Sequence, residues 1–180
     1  MSDLCNNLVL IGFMGSGKSA LGKWISQNAN MEFYDTDEYI VSKQNREIVD
    51  IFATDGETFF RDLETEAIKE MSEKITDSVI SVGGGLPLRE ENRELLKKLG
   101  IVVYLRATQD TLVKRLDNDT KRPLLAGKDI RGKINELMIQ REQIYETTAQ
   151  IIVDTDDRSF GQIYNEIEDI ILAKASTLGA

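Results

Sequence analysis

The sequence holds a single cysteine, Cys5, so no internal disulfide can form and nothing in it calls for an oxidising compartment. No apolar run approaches the roughly 18 residues that a membrane span requires. The opening string MSDLCNN has neither the basic region nor the long apolar stretch of a secretion signal, and a cytoplasmic location is expected. Positive charge is also scarce. With 22 Lys and Arg against 31 Asp and Glu the net charge is −9, whereas a general nucleic-acid binder needs surplus cations for the phosphate backbone. Internal repeats and low-complexity linkers are absent as well. What remains, 41% hydrophobic and 29% charged, is the composition of an ordinary globular protein, read as one domain over residues 1–180 with one sizeable core.

The charge is unevenly spread. Residues 110–141 hold eight Lys and Arg and five Asp and Glu, a local +3 that leaves −12 for the remainder. Such an island suits a small bound anion, and it equally suits a solvated helix face of mixed charge.

Short apolar runs alternate with longer stretches of helical period. NLVLIG (7–12), SVISVGG (78–84), IVVYL (101–105) and IIVD (151–154) read as buried strands, and MEFYD (31–35) as a less apolar one. Between them, Leu21, Trp24 and Ile25 mark one helix, and Phe60, Leu63, Ala67, Ile68 and Met71 another. Leu95, Leu96 and Leu99, then Ile163, Ile167 and Ile170, mark two more. This alternation predicts a doubly wound α/β fold, a parallel sheet of about five strands between helices. Residues 36–60 interrupt it as an insertion, and 117–128, with Pro123 and Gly127, as a polar loop overlapping a candidate lid over 114–127.

The stretch LIGFMGSGKSALG (10–22) puts four glycines into thirteen residues. Gly12 to Ser19 fits G-x-x-x-x-G-K-[ST] in full, after a strand and before a helix, as a phosphate-binding loop requires. Glycines let successive backbone N–H groups curl around a phosphate, and the helix N-terminus adds partial positive charge. Lys18 is then placed for the β- and γ-phosphates and Ser19 for the Mg²⁺ that bridges them. The nearest string to a guanine reader, AGKD (126–129), has Gly where Asn is needed, so ATP is the expected nucleotide.

Two places offer an acid for the metal. Asp154 ends the last strand, and Asp35 and Asp37 follow the second. At i and i+2 of an extended segment the latter two would point to the same side, one toward Mg²⁺ and one toward a hydroxyl acceptor. The same Asp-Thr-Asp string also suits an N-cap opening a helix through Glu38 and Ile40.

Taken together, GFMGSGKS, DTD (35–37), GETFFRDLE (56–64), SVGGG (81–85), KRPLL (121–125) and REQIYETTA (141–149) resemble the successive motifs of the shikimate kinases. They occur in that family's order and approximate spacing, from about residue 8 to 158. The resemblance implies a P-loop kinase fold like that of nucleoside-monophosphate kinases. It also implies ATP-dependent phosphorylation of the shikimate 3-hydroxyl, a step toward aromatic amino acids, with Mg²⁺ as cofactor. Shikimate and ATP are the partners, nucleic acid and membranes are not, and a monomer is expected.

Residue by residue, the resemblance assigns Gly15, Ser16, Gly17, Lys18 and Ser19 to the phosphates and metal, and Asp35 to Mg²⁺ through water. Ala20 stands where the family commonly has a second hydroxyl, a loss of about 1 kcal/mol in one hydrogen bond. Asp37 is assigned the reacting hydroxyl, Arg61 and Arg141 the substrate carboxylate, and Gly83, Gly84 and Gly85 backbone contact with substrate. Arg122 is assigned the transferring phosphoryl, while Arg115 and Arg158 fall near adenine. The residues themselves favour Arg141 over Arg61. Arg141 interrupts an apolar stripe of Ile134, Leu137, Met138 and Tyr145 and needs a partner there, whereas Glu57 and Glu64 could hold Arg61 as a helical ion pair. A gluconate or nucleotide acceptor, or an ATP-binding module without catalysis, are the competing readings.

Overall fold

A computed structural model describes residues 7–116 and 129–178. Its centre is a five-stranded sheet in the order β2-β3-β1-β4-β5, with every neighbouring pair parallel. The strands are β1 (Leu8–Ile11), β2 (Glu32–Asp35), β3 (Ser78–Ser81), β4 (Ile101–Arg106) and β5 (Ile151–Asp154). All five fall where the apolar runs place them, but β1 and β3 stop short of the glycines that follow them. MEFYD is less apolar because β2 is an edge strand with its outer side wet. β5 is the opposite edge and alternates buried with exposed residues.

Alternating side chains divide the core between the two sheet faces. Leu8 and Leu10 pack with Leu21 and Ile25 of α1 (Lys18–Asn28) and with Ile163 and Ile167 of α8 (Phe160–Leu178). Val9 and Ile11 face the other way, toward Ile68 and Met71 of α4 (Gly56–Lys74) and Leu96 and Leu99 of α5 (Glu90–Leu99). Leu112 of α6 (Gln109–Leu116) and Ile134 and Tyr145 of α7 (Ile130–Thr148) complete that layer. Residues 36–60 form α2 (Thr36–Gln44), α3 (Ile48–Thr54) and the start of α4, joined by a satellite cluster of Ile40, Ile51, Phe60, Leu63 and Ala67. No helix among the described residues is long and apolar enough to cross a membrane.

The strand order fixes where a ligand can sit. The helix after β1 covers one face of the sheet and the helix after β3 the other, so a crevice opens beyond the C-terminal ends of these two neighbours. The glycine-rich stretches 12–17 and 83–85 both leave the sheet there. At the opposite end Asn7, fully buried, staples the layers. Its amide donates to the carbonyls of Ile75 and Leu99 at 2.9 and 2.8 Å, and its carbonyl accepts from the Ser78 N–H at 3.0 Å. Asn7→Ala would leave three backbone groups at the ends of α4, α5 and β3 without that partner. It is expected to cost about 3 kcal/mol in urea unfolding, with the slope of the transition unchanged.

Candidate active site

Three of the P-loop glycines have left-handed backbone: φ is 145° at Gly12, 79° at Gly15 and 98° at Gly17. A Cβ on Gly12 would also stand 2.7 Å from the Leu105 carbonyl oxygen, so this position excludes side chains twice over. Lys18 opens α1 and folds back over the loop, donating to the carbonyls of Gly12 and Phe13 at 3.0 Å each. Gly15, Gly17, Lys18 and Ser19 line a cleft that also contains Asp35, Asp37 and Ser81.

At the floor of this cleft the Ser19 hydroxyl donates to Asp35 Oδ2 at 2.7 Å and lies 3.1 Å from the Ser81 hydroxyl. Ser81 and Asp35 are register partners on β3 and β2. Hydroxyl and carboxylate oxygens are the donors Mg²⁺ takes, and it usually keeps waters and shares its shell with nucleotide phosphates rather than occupying an all-protein cage. The residues therefore fit the metal. The other oxygen of Asp35 accepts from the N–H groups of Asp37 and Glu38 at 2.9 and 3.4 Å, capping α2. Asp35 thus caps the helix with one carboxylate oxygen, as the N-cap reading expects, and meets the P-loop serine with the other. The expected geometry needs correcting, since Asp37 lies in the first helical turn and not in an extended segment. Asp154, the other acid considered, pairs instead with Arg106 at 2.6 Å on the exposed edge.

A second pocket shares Met14, Asp37, Gly83 and Gly84 with the first and adds Arg61, Glu64, Gly85 and Arg141, with Ile48, Phe52 and Phe60 as its apolar wall. Arg61 makes both helical ion pairs, 2.7 Å to Glu57 and 2.6 Å to Glu64, yet it is only 9% exposed and its guanidinium faces the pocket. The ion pairs are made, and the same guanidinium borders the pocket. Arg141 is 4% exposed, and its Nη1 has no hydrogen-bond partner among the described residues. A buried guanidinium nitrogen in that state is expensive, and an anion entering the pocket would relieve it. Glu64 is fully buried. Burial pushes its carboxyl up to about 7 against the pull of Arg61, and the nearby Asp37 adds to the rise.

The three glycines after β3, expected to give backbone contact with substrate, also make room for the site's own side chains. None has a left-handed φ among the described glycines. A Cβ on Gly83 would come within 2.7 Å of Glu64 and 2.8 Å of Asp37, and one on Gly85 would overlap the Arg61 guanidinium. The collisions are with the site's own side chains. The Gly83 N–H, expected to meet substrate, donates to the Thr36 hydroxyl at 2.9 Å.

On the far side of the P-loop, Ser16, Gly17, Ala20, Arg115, Arg158 and Phe160 line a third cleft. Arg115 donates to the Gly15 carbonyl at 3.1 Å, while Arg158 donates to the carbonyls of Asp154 and Gln162 and pairs with Glu166. Arg122 and most of the candidate lid lie outside the described residues. Ser81, Thr36 and the apolar wall of Ile48 and Phe52 were not singled out from sequence. For Ser81 the signal was its place in SVGGG, one residue before the chain leaves the sheet.

The family model described as shikimate kinase matches residues 14–172. A shikimate kinase of Dictyoglomus turgidum is 42% identical over 165 residues, 90% of this chain and 95% of that protein. One of Chromobacterium violaceum is 36% identical over 172 residues, 96% of this chain and 93% of the other. Among solved structures, shikimate kinase from Acinetobacter baumannii in complex with shikimate superposes with a TM-score of 0.89 at 32% identity, covering 96% of this chain and 95% of that one. Motif order, sheet topology and likeness over nearly the whole length agree that the chain belongs to the shikimate kinase family.

Proposed function

We propose that the two clefts flanking Asp37 divide the reaction, with ATP phosphates in the P-loop cleft and the acceptor in the pocket of Arg61 and Arg141. The chain's activity is that of its family, transfer of the γ-phosphoryl group of ATP to the shikimate 3-hydroxyl. One observation carries the residue assignment: the pocket that holds the unsatisfied Arg141 Nη1 shares Asp37, Gly83 and Gly84 with the phosphate cleft. A small acid anchored by its carboxylate at one end would therefore present a hydroxyl at the other, beside the phosphates.

In this reading Arg61 and Arg141 grip the carboxylate, for which the planar guanidinium fork is suited. Ile48, Phe52 and Phe60 cover the ring and keep water out. Asp37 accepts the proton of the attacking hydroxyl and orients it for in-line displacement. Lys18 leaves the Gly12 and Phe13 carbonyls for the β- and γ-phosphates, joined by the backbone of Gly15, Ser16 and Gly17. Ser19 and Asp35 would hold Mg²⁺, Asp35 through water, and the ion would supply positive charge against the bridging phosphates. Arg115 and Arg158 border the adenine and Ala20 the α-phosphate, as their shared cleft supports. Arg122 is assigned to the transferring group on the strength of the KRPLL motif alone. Residues 36–60 serve as the acceptor-binding insertion and 114–127 as the lid, in one chain working as a cytoplasmic monomer.

A coupled assay offering shikimate, gluconate and nucleoside monophosphates with MgATP tests the assignment. Turnover of shikimate alone is expected. Arg141→Ala should raise the KM for shikimate at least about tenfold and leave the KM for ATP within about twofold, since a charge-assisted pair contributes about 1.5–3 kcal/mol. A change confined to ATP affinity would sink the role given to Arg141.

The raised Glu64 carboxyl sets a pH dependence. Below pH 7 Glu64 is protonated, leaving the two arginines opposed by Asp37 and Glu57 and the pocket more attractive to an anion. As pH rises through about 7, Glu64 ionises and that attraction weakens. The shikimate KM is expected to rise severalfold between pH 6 and 8, and Glu64→Gln to flatten the profile. For stability the sign is the same: a carboxyl whose folded value lies above its unfolded one favours the fold at low pH and loses that contribution as pH climbs through 7.

A further inference from the structure

Tyr145 lies one helical turn beyond Arg141 on the same face of α7 and is almost wholly buried. Its hydroxyl donates to the Gly84 carbonyl at 2.6 Å. Burial pushes that hydroxyl up to about 12, so it stays a donor at any working pH. Gly84 has little freedom on its other side, since a Cβ there would stand 3.3 Å from the Gly12 carbonyl oxygen and 3.4 Å from the Met14 nitrogen. The Tyr145 ring packs against Tyr104 with centroids 5.3 Å apart, and Tyr104 in turn lies 3.5 Å from where a Gly12 Cβ would be. The phenol thus reaches from the arginine-bearing helix to the glycine loop, where that loop touches the P-loop backbone.

The Gly84 carbonyl and the Gly85 N–H belong to one planar trans peptide, so anchoring the first aims the second the opposite way. Both glycines line the acceptor pocket. We propose that Tyr145 is a positioning residue, whose hydroxyl locks the Gly84–Gly85 peptide and the Arg141 turn into a single wall of the acceptor pocket. This deepens the assignment of that pocket to shikimate and rests on it. Tyr145 touches no reacting atom. Without its hydroxyl the peptide plane can rotate, and the part-buried carbonyl it held loses that partner.

Tyr145→Phe keeps the ring and its contact with Tyr104 and removes only the hydroxyl, which donates to Gly84 and lies beside the Arg141 guanidinium. Its kcat/KM for shikimate is expected to fall about tenfold, mostly through KM, with the KM for ATP within about twofold, because losing a buried neutral hydrogen bond costs about 1.4 kcal/mol, one decade. In the ligand-free variant, amide hydrogen exchange over residues 83–86 should accelerate about tenfold. A lower melting temperature with an unchanged KM for shikimate would mark the bond as ordinary core packing and overturn the proposal. Unchanged exchange over 83–86 overturns it equally. If the unsubstituted enzyme fails to turn over shikimate, the substrate assignment falls separately, and the exchange comparison still decides whether the hydroxyl locks the loop.

Discussion

Three consecutive residues without side chains, Gly83 to Gly85, are the constraint on which the site is built. They run through a space already filled by Asp37 and Glu64 on one side, Arg61 on another and the P-loop backbone on a third. Any Cβ at 83 or 85 would push a charged group out of place. The backbone can pass so close because its own polar groups are satisfied by neighbours, the Gly83 N–H by Thr36 and the Gly84 carbonyl by Tyr145. Glycine here supplies proximity. In the P-loop it supplies conformation as well, and the left-handed φ values at 12, 15 and 17 separate the two uses.

That crowding concentrates charge. Two arginines and two acids share one pocket, three of these groups being nearly or fully buried. Buried charges persist only when paired, and the pairing among the described residues is incomplete: Arg61 is held by Glu57 and Glu64, while Arg141 Nη1 has no hydrogen-bond partner among them. The raised carboxyl of Glu64 is the other side of the same imbalance, because a site with too little solvation for its anions makes one of them harder to ionise. In the proposed assignment a carboxylate would complete the set, and its affinity would come largely from the cost of that incomplete pairing.

Much of the fold was legible because apolar runs of four to six residues have few other uses. Each strand lies within its run, save that β4 continues one residue further to Arg106, and the one that looked too polar proved to be an edge. The P-loop was legible because its chemistry is backbone chemistry and leaves a fixed glycine spacing. Side-chain roles were harder to read. Asp35 has two oxygens, one capping a helix and one meeting Ser19, and no sequence pattern says that a single residue does both. Arg61 was similarly divided between its helical neighbours and the pocket. Ser81 and Thr36 are ordinary polar residues until parallel pairing sets Ser81 beside Asp35 and loop closure sets Thr36 against Gly83. Tyr145 looked like one more member of an apolar stripe, and its ring is that. Only its hydroxyl, aimed at Gly84, has other work.

The same geometry explains why phosphate and acceptor recognition cannot vary independently in this fold. Asp37 is carried by the helix that Asp35 caps, and Asp35 also holds the P-loop serine. Gly84 lies against Gly12 and Met14 at its P-loop side and against Tyr145 at its acceptor side. A shift of the P-loop by a few tenths of an ångström would thus press on the glycine loop and, through it, on the helix carrying Arg141. Close packing leaves no slack to absorb such a displacement. Phosphoryl transfer depends on the distance and alignment of two oxygens more than on any covalent help from the protein, so a scaffold that moves both binding clefts together keeps constant the quantity on which the rate depends.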